Sequence, residues 1–283
     1  MASRVLMILL VFLGACGSTA DEQAVLGRPI SIDESEAELA KAGPYQGSFQ
    51  TFCGYSHSLQ DDPIVSPGVP GVSHLHDFFG NRGIDAHSTL DSALADESTC
   101  AIAQDTASYW TPAMFIDDVP VEPTGSLAYY RVADGVSLTD VQPYPAGLMM
   151  VSGDQTSSSA QNTSIVGWSC GNSPNILSEP TGCVPGSELR LRLVFPDCWN
   201  GENLRSLDNS HVARSNEQGC PSTHPVVMPE LEFSVSYRAP DPSQKILLAS
   251  GPATTAHGDF FNAWNQTRLA NEVSRCLRRN VYC

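Results

Sequence analysis

Residues 189–195 read Leu189-Arg190-Leu191-Arg192-Leu193-Val194-Phe195. In an extended segment this alternation puts Leu189, Leu191 and Leu193 on one face and the arginines on the other, as in a half-buried strand. Similar short β-rich pieces recur at 47–53, 108–116, 127–132, 147–152, 231–237 and 245–250, each between clusters of Gly, Pro, Asn or Asp. With 22 Gly and 20 Pro in 283 residues, long helices should be few. The pattern predicts a mainly β fold, a β-sandwich or jelly-roll-like domain with long loops. One helix is predicted, at the C-terminal end over 262–279. There Leu269, Val273 and Leu277 recur at i, i+4 and i+8, and Arg275, Arg278 and Arg279 gather where they complement the helix dipole.

The N-terminus has one positive charge, Arg4, ahead of an apolar run over 5–13. That is the layout of a secretory signal, and the run is well short of the ~20 residues a membrane-spanning helix needs. It ends in Leu13-Gly14-Ala15-Cys16, which resembles the bacterial lipobox. The expectation is a signal peptide over 1–15, an acylated Cys16 with a flexible tether over 16–46, and one domain over 47–283. The alternative is an ordinary signal peptide with Cys16 incidental. Acylation would make this an exported protein, lipid-anchored to the membrane of the cell envelope. Gly17, rather than Asp, after Cys16 favours the outer membrane or cell surface by analogy with lipoprotein sorting.

Nine cysteines are present, and Cys16 is the odd one. The other eight are Cys53, Cys100, Cys170, Cys183, Cys198, Cys220, Cys276 and Cys283; an even set in an exported chain suggests disulfides. Connectivity does not follow from sequence; neighbour pairing is the expected pattern. No Cys-x-x-Cys pair occurs, which argues against a thiolate zinc site or a redox dithiol.

Charge narrows the partners. Thirty-one acidic residues against 15 basic ones exclude nucleic acid, whose phosphates need clustered cations. Polysaccharide, metal ions and a protein partner stay open.

The chemistry is concentrated in histidine. Ser73-His74-Leu75-His76-Asp77-Phe78-Phe79-Gly80-Asn81 places two histidines two apart. In an extended segment they share a face, with Cα atoms roughly 6.5–7 Å apart. His257-Gly258-Asp259-Phe260-Phe261-Asn262 echoes the block. Neutral imidazole suits a divalent metal, and His74, His76 and His257 are the expected ligands. Imidazole also suits acid–base work, so His57, Asp62, His74, His76, His211, His257 and Asp259 are the catalytic candidates. Asn81, Trp110, Arg131, Trp199 and His224 are candidates for substrate contacts, the tryptophans as stacking faces for sugar rings. Against this, a histidine or aspartate in a Gly/Pro-rich loop often clamps the backbone, and a lone Trp is usually core. No Gly-x-Ser-x-Gly, Walker or His-Glu-x-x-His motif occurs.

The ordered blocks Asp61-Asp62-Pro63-Ile64-Val65, Ser73 to Asn81, Tyr109-Trp110-Thr111-Pro112-Ala113, Tyr129-Tyr130, Phe195-Pro196-Asp197-Cys198-Trp199-Asn200-Gly201, Ser210-His211, His224-Pro225 and His257-Gly258-Asp259-Phe260 resemble the DUF1996 family. Two departures appear: His87 where Asn is expected, and Arg131 where Lys often follows the two tyrosines. The resemblance implies a secreted domain, in a family sometimes joined to carbohydrate-associated modules, and gives no settled activity. Three functional readings follow: a histidine-dependent, metal-assisted carbohydrate-active hydrolase or lyase; a non-catalytic module binding a glycan or envelope partner; and a metal-binding protein. Intact-mass analysis of the mature protein should give an N-terminal acylated Cys16; a mature chain free of acyl groups would contradict the anchor.

Overall fold

The computed structural model describes residues 47–283. The signal, Cys16 and the tether lie outside the described residues. In chain order the strands are β1 Ser48–Cys53, β2 Tyr55–Leu59, β3 His76–Gly80, β4 Ser108–Pro112, β5 Met114–Ile116, β6 Val119–Val121, β7 Gly125–Arg131 and β8 Met149–Gly153. They continue as β9 Val166–Cys170, β10 Glu188–Val194, β11 Cys198–Trp199, β12 Val212–Ala213, β13 Val226–Val227, β14 Glu230–Arg238, β15 Ile246–Leu248 and β16 His257–Phe261.

Two five-stranded antiparallel sheets dominate, ordered β1-β7-β14-β10-β9 and β2-β3-β4-β16-β8. They face one another across an aromatic core: Tyr109 stacks on Phe233 with centroids 5.0 Å apart, and Phe79 meets Phe233 edge-on at 5.6 Å. The fold is mainly β, as expected. On β10, Leu189, Leu191 and Leu193 are buried while Arg190 and Arg192 point outward; Arg192 pairs with Glu232 of the neighbouring β14 at 2.8 Å. Four disulfides join Cys53–Cys100, Cys170–Cys183, Cys198–Cys220 and Cys276–Cys283, the neighbour pairing.

The central strands of the second sheet, β3, β4 and β16, are buried on both faces, and here the structure departs from expectation. Segments 76–80 and 257–261 are not loops but the strands β3 and β16, buried throughout. A strand covered on both sides loses the alternation that reveals a half-exposed one. The outer face of this sheet carries Phe78, Trp110 and Phe261 under a lid containing Ile64, Ile84 and Ala93. Part of that lid is a short helix, Leu90–Ala95, absent from the sequence reading; Thr89 caps it by accepting the Ser92 N–H at 3.2 Å. The C-terminal helix runs Gln266–Glu272 behind an Asn265 cap, then Val273–Leu277 as a π-helical turn. It does not start at 262 because the chain stays extended past β16: the Asn262 N–H bonds the Leu148 carbonyl and Trp264 bridges Asp105. The 108–116 stretch splits at Ala113 into β4 and β5, and β2, β6, β9 and the two-residue strands β11, β12 and β13 were not anticipated. Among the described residues no helix is long and apolar enough to cross a membrane.

At one end of the core, Trp264 donates to the Tyr130 hydroxyl at 3.0 Å, Tyr130 contacts the Tyr109 hydroxyl, and Tyr109 donates to Asp105 at 3.0 Å. Asp105 is fully buried, and burial pushes its carboxyl up to about 8. The folded chain thus holds a proton that the unfolded chain releases near pH ~3.9. Stability from this group is full below that value and is lost as pH rises through about 8. Asp105→Asn should hold its melting temperature better than wild type between pH 6 and 9, the gap widening by on the order of 5 °C. Some slope remains, because burial also raises Asp77 to about 6. Parallel pH profiles for the two proteins would contradict the assignment.

Candidate functional site

Strands β3 and β16 both pair with β4, His76 opposite Pro112 and Asp259 opposite Trp110. Both are antiparallel to β4 and so run parallel to each other, one strand apart. On β16, Gly258 faces the other sheet so closely that a Cβ would lie 2.4 Å from Leu193 Cδ1. His257 and Asp259, its neighbours, therefore face the outer side. On β3 the outward residues include His76 and Phe78, and their rings meet edge-on at 6.1 Å. His74, just ahead of β3, turns to the same place.

The three imidazoles converge. Ring centroids are 4.2 Å apart for His74 and His76, 5.0 Å for His74 and His257, and 6.0 Å for His76 and His257. One ligand-type atom from each lies within 4.8 Å of the others, and the same holds for Asp62, His76 and Asp259. His76 belongs to both triads, so the two triads adjoin and five side chains form one cluster.

The orientation of the rings is specific. His76 Nδ1 sits 3.0 Å from the Asp61 carbonyl, and His257 Nδ1 sits 2.8 Å from the Thr255 carbonyl. A carbonyl only accepts, so Nδ1 carries the proton in both and each Nε2 presents a lone pair. Among the described residues His76 Nε2, His74 Nε2 and Asp259 Oδ2 are buried with no hydrogen-bond partner. Asp62 is fixed by accepting the Ile64 and Val65 N–H groups at 2.8 and 3.0 Å. A backbone carbonyl behind a histidine with a free Nε2 is the support that metal-binding histidines use.

Burial sets the charge state. It holds His257 down to about 4, His76 well below the usual imidazole range and His74 below it. Burial, then the neighbouring Asp62, pushes Asp259 well up, and burial raises Asp62. A bound dication would favour the ionised carboxylates. Three neutral imidazoles and two carboxylates suit zinc, iron or manganese better than calcium or copper(I).

The locus opens on a cleft of ≈ 280 Å³ lined by His257, Asp259 and Asp62, with Asp154, Asp208 and Asn209 at its walls. Asp154 and Asp208 are exposed, and hydrogen bonds from Thr156 and Ser210 hold both below the usual carboxylate range. They were not anticipated, since neither belongs to a motif. His74 meanwhile lines a separate hollow with Gln60 and Phe115.

The remaining candidates lie apart. His57, His211 and His224 each have both ring nitrogens engaged. A hydroxyl takes Nδ1 (Ser56, Ser206 and Thr223) and a carbonyl takes Nε2 (Ile84, Met149 and Ser210). These are loop clamps with no free lone pair for a ligand. Asn81 is fully buried and staples its loop to the Ala93 and Thr106 carbonyls. Trp110 is fully buried against Phe78, so it offers no face to a sugar. Trp199 is half-buried with Nε1 bonded to the Asn203 carbonyl. Arg131 is ion-paired with Glu230 and Glu232.

The two classes of histidine should separate by mutation. His211→Ala removes two buried hydrogen bonds and should lose about 1–3 kcal/mol of stability while leaving metal binding intact. His74→Ala, which breaks no side-chain hydrogen bond among the described residues, should keep the melting temperature and weaken metal binding. Denaturation and metal titration of the pair check this; the opposite pattern would contradict the division.

Comparison with curated proteins gave no match, and none was found among solved structures. The DUF1996 family, a domain of unknown function, matches residues 62–264, which include all five side chains of the cluster. That match covers more than half of the 283 residues, and the chain belongs to the DUF1996 family.

Proposed function

We propose that this domain is an exported, metal-assisted hydrolase or lyase that acts on carbohydrate at the cell envelope. The observation that carries the reading is the set of unpartnered buried atoms, His74 Nε2, His76 Nε2 and Asp259 Oδ2, beside an open cleft. Leaving such groups unmet costs about 1–3 kcal/mol each, a cost that a ligand shared among them would offset. A divalent ion held there would supply Lewis-acid chemistry. The chain's own residues do the rest. Thr255 and Asp61 hold two imidazoles in the tautomer that presents Nε2. Asp259 and Asp62 line the cleft and are placed to take or return a proton near the reacting group. The charged Asp154 and Asp208 at the walls repel polyanions and favour a neutral chain.

The four disulfides suit an extracytoplasmic compartment, and acylation of Cys16 would keep the domain there. The buried Trp110 and tethered Trp199 give little support to a glycan module that works by aromatic stacking. Elemental analysis after incubation with zinc, manganese or iron should find about one ion per chain. Release of reducing ends from a panel of neutral polysaccharides should disappear on chelation and return on adding the metal back. Failure to retain any of these ions would contradict the metal centre; one ion without activity on any glycan would favour the non-catalytic metal-binding reading.

A further inference from the structure

A second pocket, of ≈ 400 Å³, lies on the far side of β8 from the histidine cleft. Arg131, Arg192, Asp197, Arg214 and Glu230 line it, with Ile165 among its apolar walls. Most of its charges are already matched. Arg131 holds Glu230 at 2.5 Å, and Arg192 holds Glu232 at 2.8 Å. Two groups stand out. Among the described residues Arg214 has no carboxylate within ion-pair distance; Nη1 donates to the Phe195 carbonyl at 3.2 Å, and Nη2 to the Val194 carbonyl at 2.5 Å and Ser152 Oγ at 3.4 Å. Asp197 is 1% exposed; its Oδ1 accepts the Ser215 N–H at 2.9 Å, and its Oδ2 is buried with no hydrogen-bond partner among the described residues.

We propose that this pocket binds a neutral saccharide, with Asp197 and Arg214 reading adjacent hydroxyl groups.

The chemistry of the wall selects the ligand. A hydroxyl both donates and accepts, so neighbouring hydroxyls on one sugar ring satisfy the open Asp197 oxygen and a remaining Arg214 N–H together. An anionic ligand is disfavoured twice. Asp134, Asp197, Glu217 and Glu230 outnumber the three arginines of the lining. Both terminal nitrogens of Arg214 are also engaged by carbonyls, so it lacks the open fork that a carboxylate or phosphate prefers. A cation would meet three guanidinium groups.

The pocket is preorganised. The Asp197 carbonyl accepts the Met228 N–H at 2.7 Å, and the next residue, Cys198, is bonded to Cys220. Little ordering is needed on binding, which favours affinity. Asp197 and Arg131 come from, or directly follow, sequence blocks whose chemistry the histidine cluster does not use. Ser152 ties the two places: its hydroxyl bonds the Val194 carbonyl on the pocket side, while Val151 and Gly153 line the cleft beside His257. The saccharide site uses none of the metal-ligand candidates and does not depend on the metal reading.

Isothermal titration of the purified domain with tetrasaccharides of β-1,3-glucose, β-1,4-glucose, α-1,4-glucose, β-1,4-mannose and N-acetylglucosamine tests it. At least one should bind with a Kd of about 1 mM or tighter. Asp197→Asn and Arg214→Gln should each weaken that sugar about tenfold or more, as loss of a charged hydrogen bond implies. If a pocket variant does not fold, chemical-shift mapping on the wild type serves instead, with changes expected at Ile165, Val194 and Ser215. No binding by any tetrasaccharide, binding by both pocket variants as tight as by the wild type, or shifts at the histidine cleft with none at the pocket would overturn the proposal.

Discussion

Strand β4 sits between β3 and β16, and the site depends on that shared neighbour. Each flanking strand is antiparallel to β4, so the two are parallel to each other, and the register sets His76 and His257 at the same end of the sheet. Gly258 fixes which side chains of β16 face outward. Its missing Cβ lets the strand lie against Leu193 of the opposite sheet. A side chain there would push β16 away from the core and carry His257 and Asp259 with it. The aromatic packing between the sheets thus holds the geometry of the histidine cluster.

Placing polar side chains on the inside of a lid is unfavourable unless their groups are matched. The protein matches half of each imidazole and no more. Nδ1 of His76 and of His257 goes to a backbone carbonyl, while His76 Nε2 and Asp259 Oδ2 are left open within the cluster. Elsewhere the same fold satisfies His57, His211 and His224 completely, with a hydroxyl on one nitrogen and a carbonyl on the other. The contrast within one chain separates groups that hold loops from groups poised for a ligand. The rest of the framework supplies the stability that such open groups draw on: four disulfides, a doubly covered sheet and the network from Trp264 to Asp105.

Much of this was legible in the sequence, for identifiable reasons. The Leu/Arg alternation of 189–195 reads as a strand because β10 has one wet face and one dry face. The cysteines pair with their neighbours because each bridge closes a local excursion. His74-x-His76 and His257-x-Asp259 stand out by spacing alone, and the structure brings them together with Asp62. The secondary structure around them was hidden, because β3 and β16 are buried on both sides and keep no period of two. Trp110 looked like a sugar platform for the same reason. His57, His211 and His224 could not be told from the cluster by residue type. Their adjacent or nearby Ser and Thr were a signal for clamping in two cases, Ser56 and Thr223. Asp154 and Asp208 reach the cleft only through the fold and leave no mark in the sequence.

The central claim is that the convergent histidines form a metal centre. Anomalous diffraction from crystals grown with zinc and measured on both sides of its absorption edge would test it most directly. The account predicts one strong peak about 2.0–2.1 Å from His76 Nε2 and His257 Nε2, with His74 and a carboxylate completing the set. A cluster region without anomalous density, with zinc bound only at surface carboxylates such as Asp208, would contradict it.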